Sequence, residues 1–166
     1  MREDLQYHQR LFIVAYMPDF KRLTDDSVRA FWWAQVEAHE RHDGFCGIAD
    51  FLYGIVLARE SNTSEFLSKA GITAKAARPA FAPFADEAPT MEGGIPLTPN
   101  VKKTITFAFD LADELGHQKV DCGHILYSLL NEPMVEDLRE ILQTLKIDPE
   151  HLRTELFLRL KNTGWA

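Results

Sequence analysis

Histidine, cysteine and aspartate gather at two places in the chain. At the first, His39, His42 and Cys46 follow a His-x-x-His-x-x-x-Cys spacing with Asp43 and Asp50 alongside. Imidazole nitrogens and a thiolate are zinc ligands, and this spacing unites three of them if a helix ends near His42 and the chain folds back. At the second, Cys122 and His124 stand two residues apart behind Asp121, as a thiol nucleophile and its base would. The surroundings favour plainer roles. No matching ligand set recurs in the second half of the chain, so a solvated helix end beside a small buried Cys46 is the simpler expectation. Cys122 and His124, two apart at a helix start, point in different directions, and no oxyanion-binding glycine loop accompanies them. Asp121 is expected as a helix N-cap, His124 bonded to nearby backbone, and His117 at a helix C-terminus behind Gly116. No metal and no cofactor is expected.

Aromatic residues suggest binding instead of chemistry. Trp32 and Trp33 are adjacent on one predicted helix and cannot both face one core, so one is expected at a surface or in a contact. With Phe81, Phe84 and Trp165 they form a candidate protein-binding patch, because large aromatics anchor interfaces. The alternative is that Trp33 packs against the linker or the N-terminal segment.

The elements that must position these residues are helical. In 166 residues, 18 Lys plus Arg stand against 25 Asp plus Glu, a formal charge of -7. That balance opposes binding to nucleic-acid phosphates or anionic lipid, and the length suffices for a sizeable core. Two distant cysteines predict reduced thiols and a cytoplasmic setting. The apolar run Leu11–Met17 is too short to span a bilayer and follows an acidic start, so it is expected as a buried helix or strand.

Thr24 with Asp25 and Asp26 predicts a helix start, and the helix runs to about His42. Val28, Phe31, Ala34, Gln35 and Ala38 face inward, leaving Arg29, Glu37 and Glu40 in solvent. Further helices are expected over 48–59, with Phe51, Leu52, Ile55 and Val56 buried, and from an Asn62/Glu65 capping box to Ala70-Gly71. Thr73 caps a fourth. Pro79, Pro83, Pro89, Gly93, Gly94 and Pro96 mark a linker. Thr98-Pro99 then opens a helix to Gly116, followed by helices near 121–131, 135–146 and 149–161. On the first of these, Ala108 and Ala112 permit close helix approach.

The halves repeat. An offset of 74 pairs Leu23/Leu97, Thr24/Thr98, Ala34/Ala108, Ala38/Ala112, Glu40/Glu114, Leu52/Leu126 and Tyr53/Tyr127, and an offset of 75 then pairs Glu65/Glu140, Leu67/Leu142 and Ile72/Ile147. The expected organisation is a 1–22 N-terminal extension, a diverged first repeat at 23–78, a Pro/Gly linker at 79–96, a second repeat at 97–161 and a 162–166 tail. The fold expected is all-α, two four-helix repeats packed about a pseudo-twofold axis.

Leu97-Thr98 through Leu115-Gly116-His117, Val120, His124-Ile125-Leu126, Leu129-Leu130 and Leu145-Lys146-Ile147-Asp148 resemble the Clp N-terminal domain, the duplicated helical module of the Clp/Hsp100 unfoldases. In the first repeat Gly47-Ile48-Ala49-Asp50-Phe51-Leu52 occupies the signature, with Asp50 where the family has His. The resemblance implies a non-enzymatic module that binds polypeptide substrates or adaptors and modulates a Clp ATPase. No phosphate-loop motif Gly-x-x-x-x-Gly-Lys-Ser/Thr occurs in the sequence. The ending Asn162–Ala166 favours a free-standing protein over an excised domain. In some members of the family, a Thr and a Glu in each repeat bind phosphorylated arginine. Thr24 and Thr98 match the threonines and stand with Trp32, Trp33, Phe81 and Phe84 as candidate protein-binding residues, but Ala49 and Gly123 stand at the Glu positions, so weak or no phosphoarginine binding is expected. The other readings are a metal-binding or hydrolytic protein using His39, His42 and Cys46, and a self-associating structural module.

Overall fold

The computed structural model describes residues 19–41, 44–58, 61–77, 94–131, 134 and 136–163. The expectations for Leu11–Met17, His42, Asp43, Phe81, Phe84 and Trp165 lie outside these residues. Among the described residues, a 3-10 turn at Phe20–Arg22 leads into eight helices: α1 (Asp25–Glu40), α2 (Ile48–Leu57), α3 (Asn62–Lys69), α4 (Ala74–Ala77), α5 (Pro99–Glu114), α6 (Cys122–Leu129), α7 (Glu136–Thr144) and α8 (Pro149–Thr163). Among the described residues, extended pairing is confined to two isolated parallel bridges. No helix there is long and apolar enough to cross a membrane.

Side chains mark the helix boundaries by supplying acceptors for the first free amides. The Thr24 hydroxyl accepts from the Ser27 amide, the Thr98 hydroxyl from Val101 and the Thr73 hydroxyl from Ala76. Asp148 accepts from the Glu150 amide behind its N1 proline. The start of α3 differs from the sequence expectation. Ser61, not Asn62, is the N-cap, and its Oγ accepts from the Ser64 amide at 2.9 Å. Asn62 is already helical, and Ser64 stands three residues after Ser61, so the capping geometry falls one residue earlier. Gly71 and Gly116 end α3 and α5 with φ of +93° and +72°, the left-handed conformation that glycine adopts without a Cβ clash.

The helices are arranged by halves, with crosswise contacts. α1 packs along α2 and α5 along α6, while α2 and α6 meet at the centre. α3 lies on both α2 and α6; α7 lies on α2, and α8 on α6. The fully buried side chains come from both halves, among them Phe51, Leu52, Ile55, Ile125, Leu126, Leu142 and Leu156. One hydrophobic core therefore spans the repeats, as the pseudo-twofold fold requires.

Gly54 sets the closest of these approaches. A Cβ at this position would lie 2.2 Å from the Ala30 carbonyl oxygen and 2.9 Å from the Ala34 amide nitrogen, so α1 and α2 touch backbone to backbone. Ala30 and Ala34, both fully buried, keep the facing side of α1 equally shallow. Phe31 and Phe51 then lock the pair edge to face, with centroids 4.7 Å apart. The position 74 residues later is Ser128, whose hydroxyl donates to the His124 carbonyl inside α6. Gly54→Ala must push two backbones apart, and should cost about 1–3 kcal/mol or more in urea unfolding. A variant as stable as the parent would refute the close crossing.

Candidate functional site

The molecule is knit together where each repeat begins. The amide of Val120 donates to the Arg22 carbonyl at 2.8 Å, and the Thr24 amide donates to the Val120 carbonyl at 3.1 Å. At positions shifted by 74, the amide of Cys46 donates to the Pro96 carbonyl at 2.8 Å, and the Thr98 amide donates to the Cys46 carbonyl at 3.0 Å. Each threonine that caps a first helix is thus fastened to the segment preceding the second helix of the other repeat. The Ser27 hydroxyl, fully buried, adds a 3.0 Å bond to the Val120 carbonyl.

Just beyond each bridge, the second helix starts with the same device built from different residues. In α6 the amide of Asp121 donates to Nδ1 of His124 at 3.0 Å, while Oδ1 of Asp121 accepts from the amides of Gly123 and His124. In α2 the amide of Gly47 donates to Oδ2 of Asp50 at 2.8 Å. Asp50 therefore stands in for the imidazole of the other repeat, reaching back three residues to satisfy the same buried donor. The sequence shows the replacement of His by Asp but not this equivalence of role.

The charged neighbours of the two starts also differ. Glu37 is buried, contrary to the expectation that it faces solvent. Nε of Arg41, one turn on, lies 2.8 Å from its Oε1 and 4.0 Å from Oδ1 of Asp50. A guanidinium shared by two carboxylates makes burial of the acid tolerable. At the other start, Arg22 donates to Asp113 at 2.6 Å and to the carbonyls of Gln118 and His117, and its guanidinium lies over the Phe109 ring.

The candidates for chemistry are disposed as scaffold. His39 is exposed and Cys46 is fully buried, so those two are not brought to one site, and His42 lies outside the described residues. No group of metal-ligating side chains forms among the described residues. Burial, with Asp50 adding to it, pushes the Cys46 thiol well above its usual range. Cys122 is raised likewise by burial and by Asp26 and Asp121. Both thiols are held in the form that is not nucleophilic. His124, fully buried, spends Nδ1 on its own N-cap amide and places Nε2 2.8 Å from Nδ1 of His117. His117 follows Gly116 out of α5 as expected, but its ring meets another ring instead of the end of the helix.

The aromatic candidates are spread over α1 and α5. Trp32 and Trp33 are both half-buried, so neither is wholly inside or outside. The residue 74 positions after Trp33 is Phe107, which is 38% exposed, and Phe45 just ahead of the bridge at Cys46 is 59% exposed. Phe45 and Phe107 carry no sequence signal of their own. Phe107 is found only by carrying the Trp33 position across the repeat.

Comparison with known proteins agrees with this geometry. The model of the Clp repeat (R) N-terminal domain matches residues 22–145 and, in a second match, 96–163. The rice chloroplastic chaperone protein ClpC2 (Oryza sativa subsp. japonica) is 27% identical over 148 residues, covering 89% of this chain and 16% of the relative. Rice ClpC3 is 29% identical over 153 residues, 92% of this chain and 16% of that protein. The chain thus spans a small part of the curated relatives it matches. Among solved structures, the N-terminal domain of ClpD from Arabidopsis thaliana has a TM-score of 0.70 at 20% identity, covering 87% of this chain and 97% of that one. A complex of the ClpV N-domain with a VipB peptide has a TM-score of 0.60 at 18% identity, covering 89% and 92%.

The start of α2 yields a stability test. Asp50→Ala strands the Gly47 amide and removes one of the two carboxylates around Arg41, so denaturant unfolding should show a loss of about 1–3 kcal/mol. Asp50→Asn, which keeps an acceptor oxygen, should lose less. Equal losses for the two variants would dismiss the hydrogen bond as the reason for Asp50.

Proposed function

The chain belongs to the Clp repeat N-terminal domain family, and on that premise we propose that it is a non-enzymatic module that binds polypeptide segments of substrates or adaptors for a Clp ATPase. The observation that carries this reading is the family match over both repeats, joined to a fold shared with an N-domain that is solved with a peptide bound. The inert thiols and the occupied nitrogens of His124 fit a binding surface better than a reaction centre. With a formal charge of -7, the partners are proteins and not nucleic acid or anionic membrane.

The recognition elements we assign are the partly exposed aromatics of the first helix of each repeat, Trp33 on α1 and Phe107 on α5, with Trp32 beside them. Large aromatic rings supply most of the energy of such contacts. Thr24 and Thr98 act as caps and bridge residues, not as ligand contacts. An unfolded, fluorescently labelled polypeptide titrated with the full chain should show saturable anisotropy, both alone and when a Clp ATPase is present. Trp33→Ala and Phe107→Ala should each weaken binding about tenfold or more at unchanged melting temperature. Full affinity in both variants would move the site elsewhere. No binding by the parent chain at any accessible concentration would end the reading.

The ligand differs from that of relatives that hold phosphorylated arginine. Ala49 and Gly123 bring no carboxylate to face a guanidinium, and the threonine hydroxyls already accept from their own helix amides. Calorimetry with free phosphoarginine should therefore show no heat of binding. Saturable binding with micromolar affinity would overturn this.

A further inference from the structure

Val36 is buried on the side of its helix that faces away from the core. Ala30, Phe31, Ala34 and Ala38 turn α1 inward, with Gly54 of α2 against Ala30 and Ala34 and Cys122 of α6 against Ser27. Val36 stands two positions from both Ala34 and Ala38, so it points about 160° round the helix from each. It is nevertheless only 1% exposed, and it does not belong to the hydrophobic core that the described residues form. Trp32, one turn earlier, shares its face. Nε1 of Trp32 is buried there without a hydrogen-bond partner. An indole N–H closed off from both water and acceptors is covered by apolar groups. We propose that this face of α1, centred on Trp32 and Val36, is a docking site for an apolar segment, and that its occupant is the chain's own run Leu11-Phe12-Ile13-Val14-Ala15-Tyr16-Met17.

The second repeat shows the same face without an occupant. The offset of 74 pairs Trp32 with Thr106 and Val36 with Asp110, and both of those partners are exposed on α5. Ala34 and Ala38, by contrast, pair with Ala108 and Ala112, and all four are fully buried. The two helices therefore agree on the side that builds the shared core and differ on the other. On α5 that other side is polar and open, and on α1 it is apolar and shut. Removing a valine and an indole from water is favourable only when an apolar surface meets them.

Reach and composition select the occupant. Pro18 follows the run, and the 3-10 turn at Phe20–Arg22 then leads into α1 at Asp25. Val36 lies eleven positions beyond Asp25. That is about 17 Å of helix, and seven extended residues span about 23 Å, so the run can lie back along α1 from its first turn to Val36. Its seven side chains carry a single polar group, the Tyr16 hydroxyl, which suits a face that holds a sealed indole. The stretch at 78–93 places Pro79, Pro83 and Pro89 among Asp86, Glu87 and Glu92, and it has no apolar run of that length. Docking also removes the run itself from water, where seven consecutive apolar residues are an aggregation hazard. Nothing in this contact depends on which polypeptides the module binds.

Nuclear Overhauser spectroscopy on the full chain tests the contact, with labelled and unlabelled copies mixed to separate contacts within a copy from those between copies. The Val36 methyls and the Trp32 indole should show cross-peaks to side chains of the run, Ile13 and Val14 among them, within one copy. Trypsin gives an independent readout, because cleavage after Arg10 needs Leu11 and Phe12 to leave the face. Val36→Asp, which copies Asp110, should speed that cut about tenfold or more, and Ile13→Asp should do the same from the other side of the contact. Asp110→Asn, on the open face of α5, should leave it unchanged. If Val36→Asp does not fold, the cross-peaks of the parent chain and the Ile13→Asp variant decide. Cross-peaks from Val36 to Phe81 or Phe84, cross-peaks only between copies, or a cut no faster in Ile13→Asp would overturn the proposal.

Discussion

Reciprocal pairing of two short backbone segments is the constraint from which the rest of this structure follows. Arg22–Thr24 pairs with Val120 and Pro96–Thr98 pairs with Cys46, so the start of each repeat is completed by the middle of the other. Buried backbone amides and carbonyls must find partners, and here the partners lie far apart in the sequence. Once the pairs form, the direction of all four central helices is set. Thr24 and Thr98 become the caps of α1 and α5, and the residues just beyond Cys46 and Val120 become the starts of α2 and α6. A single core across both halves is then the natural outcome. α3 and α7 each reach the central helix of the other repeat, so neither repeat has an apolar face it can cover alone.

The same geometry has been furnished twice with different chemistry. At α2 the buried donor meets Asp50, whose charge sits in a cluster with Arg41 and Glu37. At α6 it meets His124, whose further nitrogen is passed to His117, and the nearby guanidinium, Arg22, is held outside by Asp113. Cys46, Cys122 and His124, which look reactive in sequence, are buried because they occupy the seam, where buried polar groups are taken up in pairing.

Much of the fold was legible because its signals are local. Thr98-Pro99, Asp148-Pro149, Gly71 and Gly116 each act within one helical turn, and the offset of 74 aligns whole helices. The misreadings were those in which a local signal competes with a nearby equivalent or with a distant partner. Ser61 and Asn62 are both good caps, and the helix uses the first. Glu37 carries a charge on a helix face that periodicity leaves wet, but Arg41 and Asp50 come over it. Gln35 is the opposite case. Its inward position was predicted, yet its amide works as a clamp, donating to and accepting from the backbone of Ile95 at 3.0 and 2.9 Å.

By itself, then, the sequence determined the helical class, the duplication, the caps at Thr24, Thr98 and Asp148 and the absence of a local motif for nucleotide chemistry, because each depends on residues a few positions apart or on a repeated pattern. Only the tertiary structure decided that Asp50 takes the part of His124, that His117 meets His124 and not a helix end, and that Cys46 and Cys122 are sealed from solvent. The seam joins residues as far as 98 positions apart, as the bond from Lys119 to the Lys21 carbonyl shows, and His117 meets His124 across 7. Contacts at such separation are chosen by the packing of the whole core and not by any stretch of the chain, so the seam is invisible until both repeats are in place.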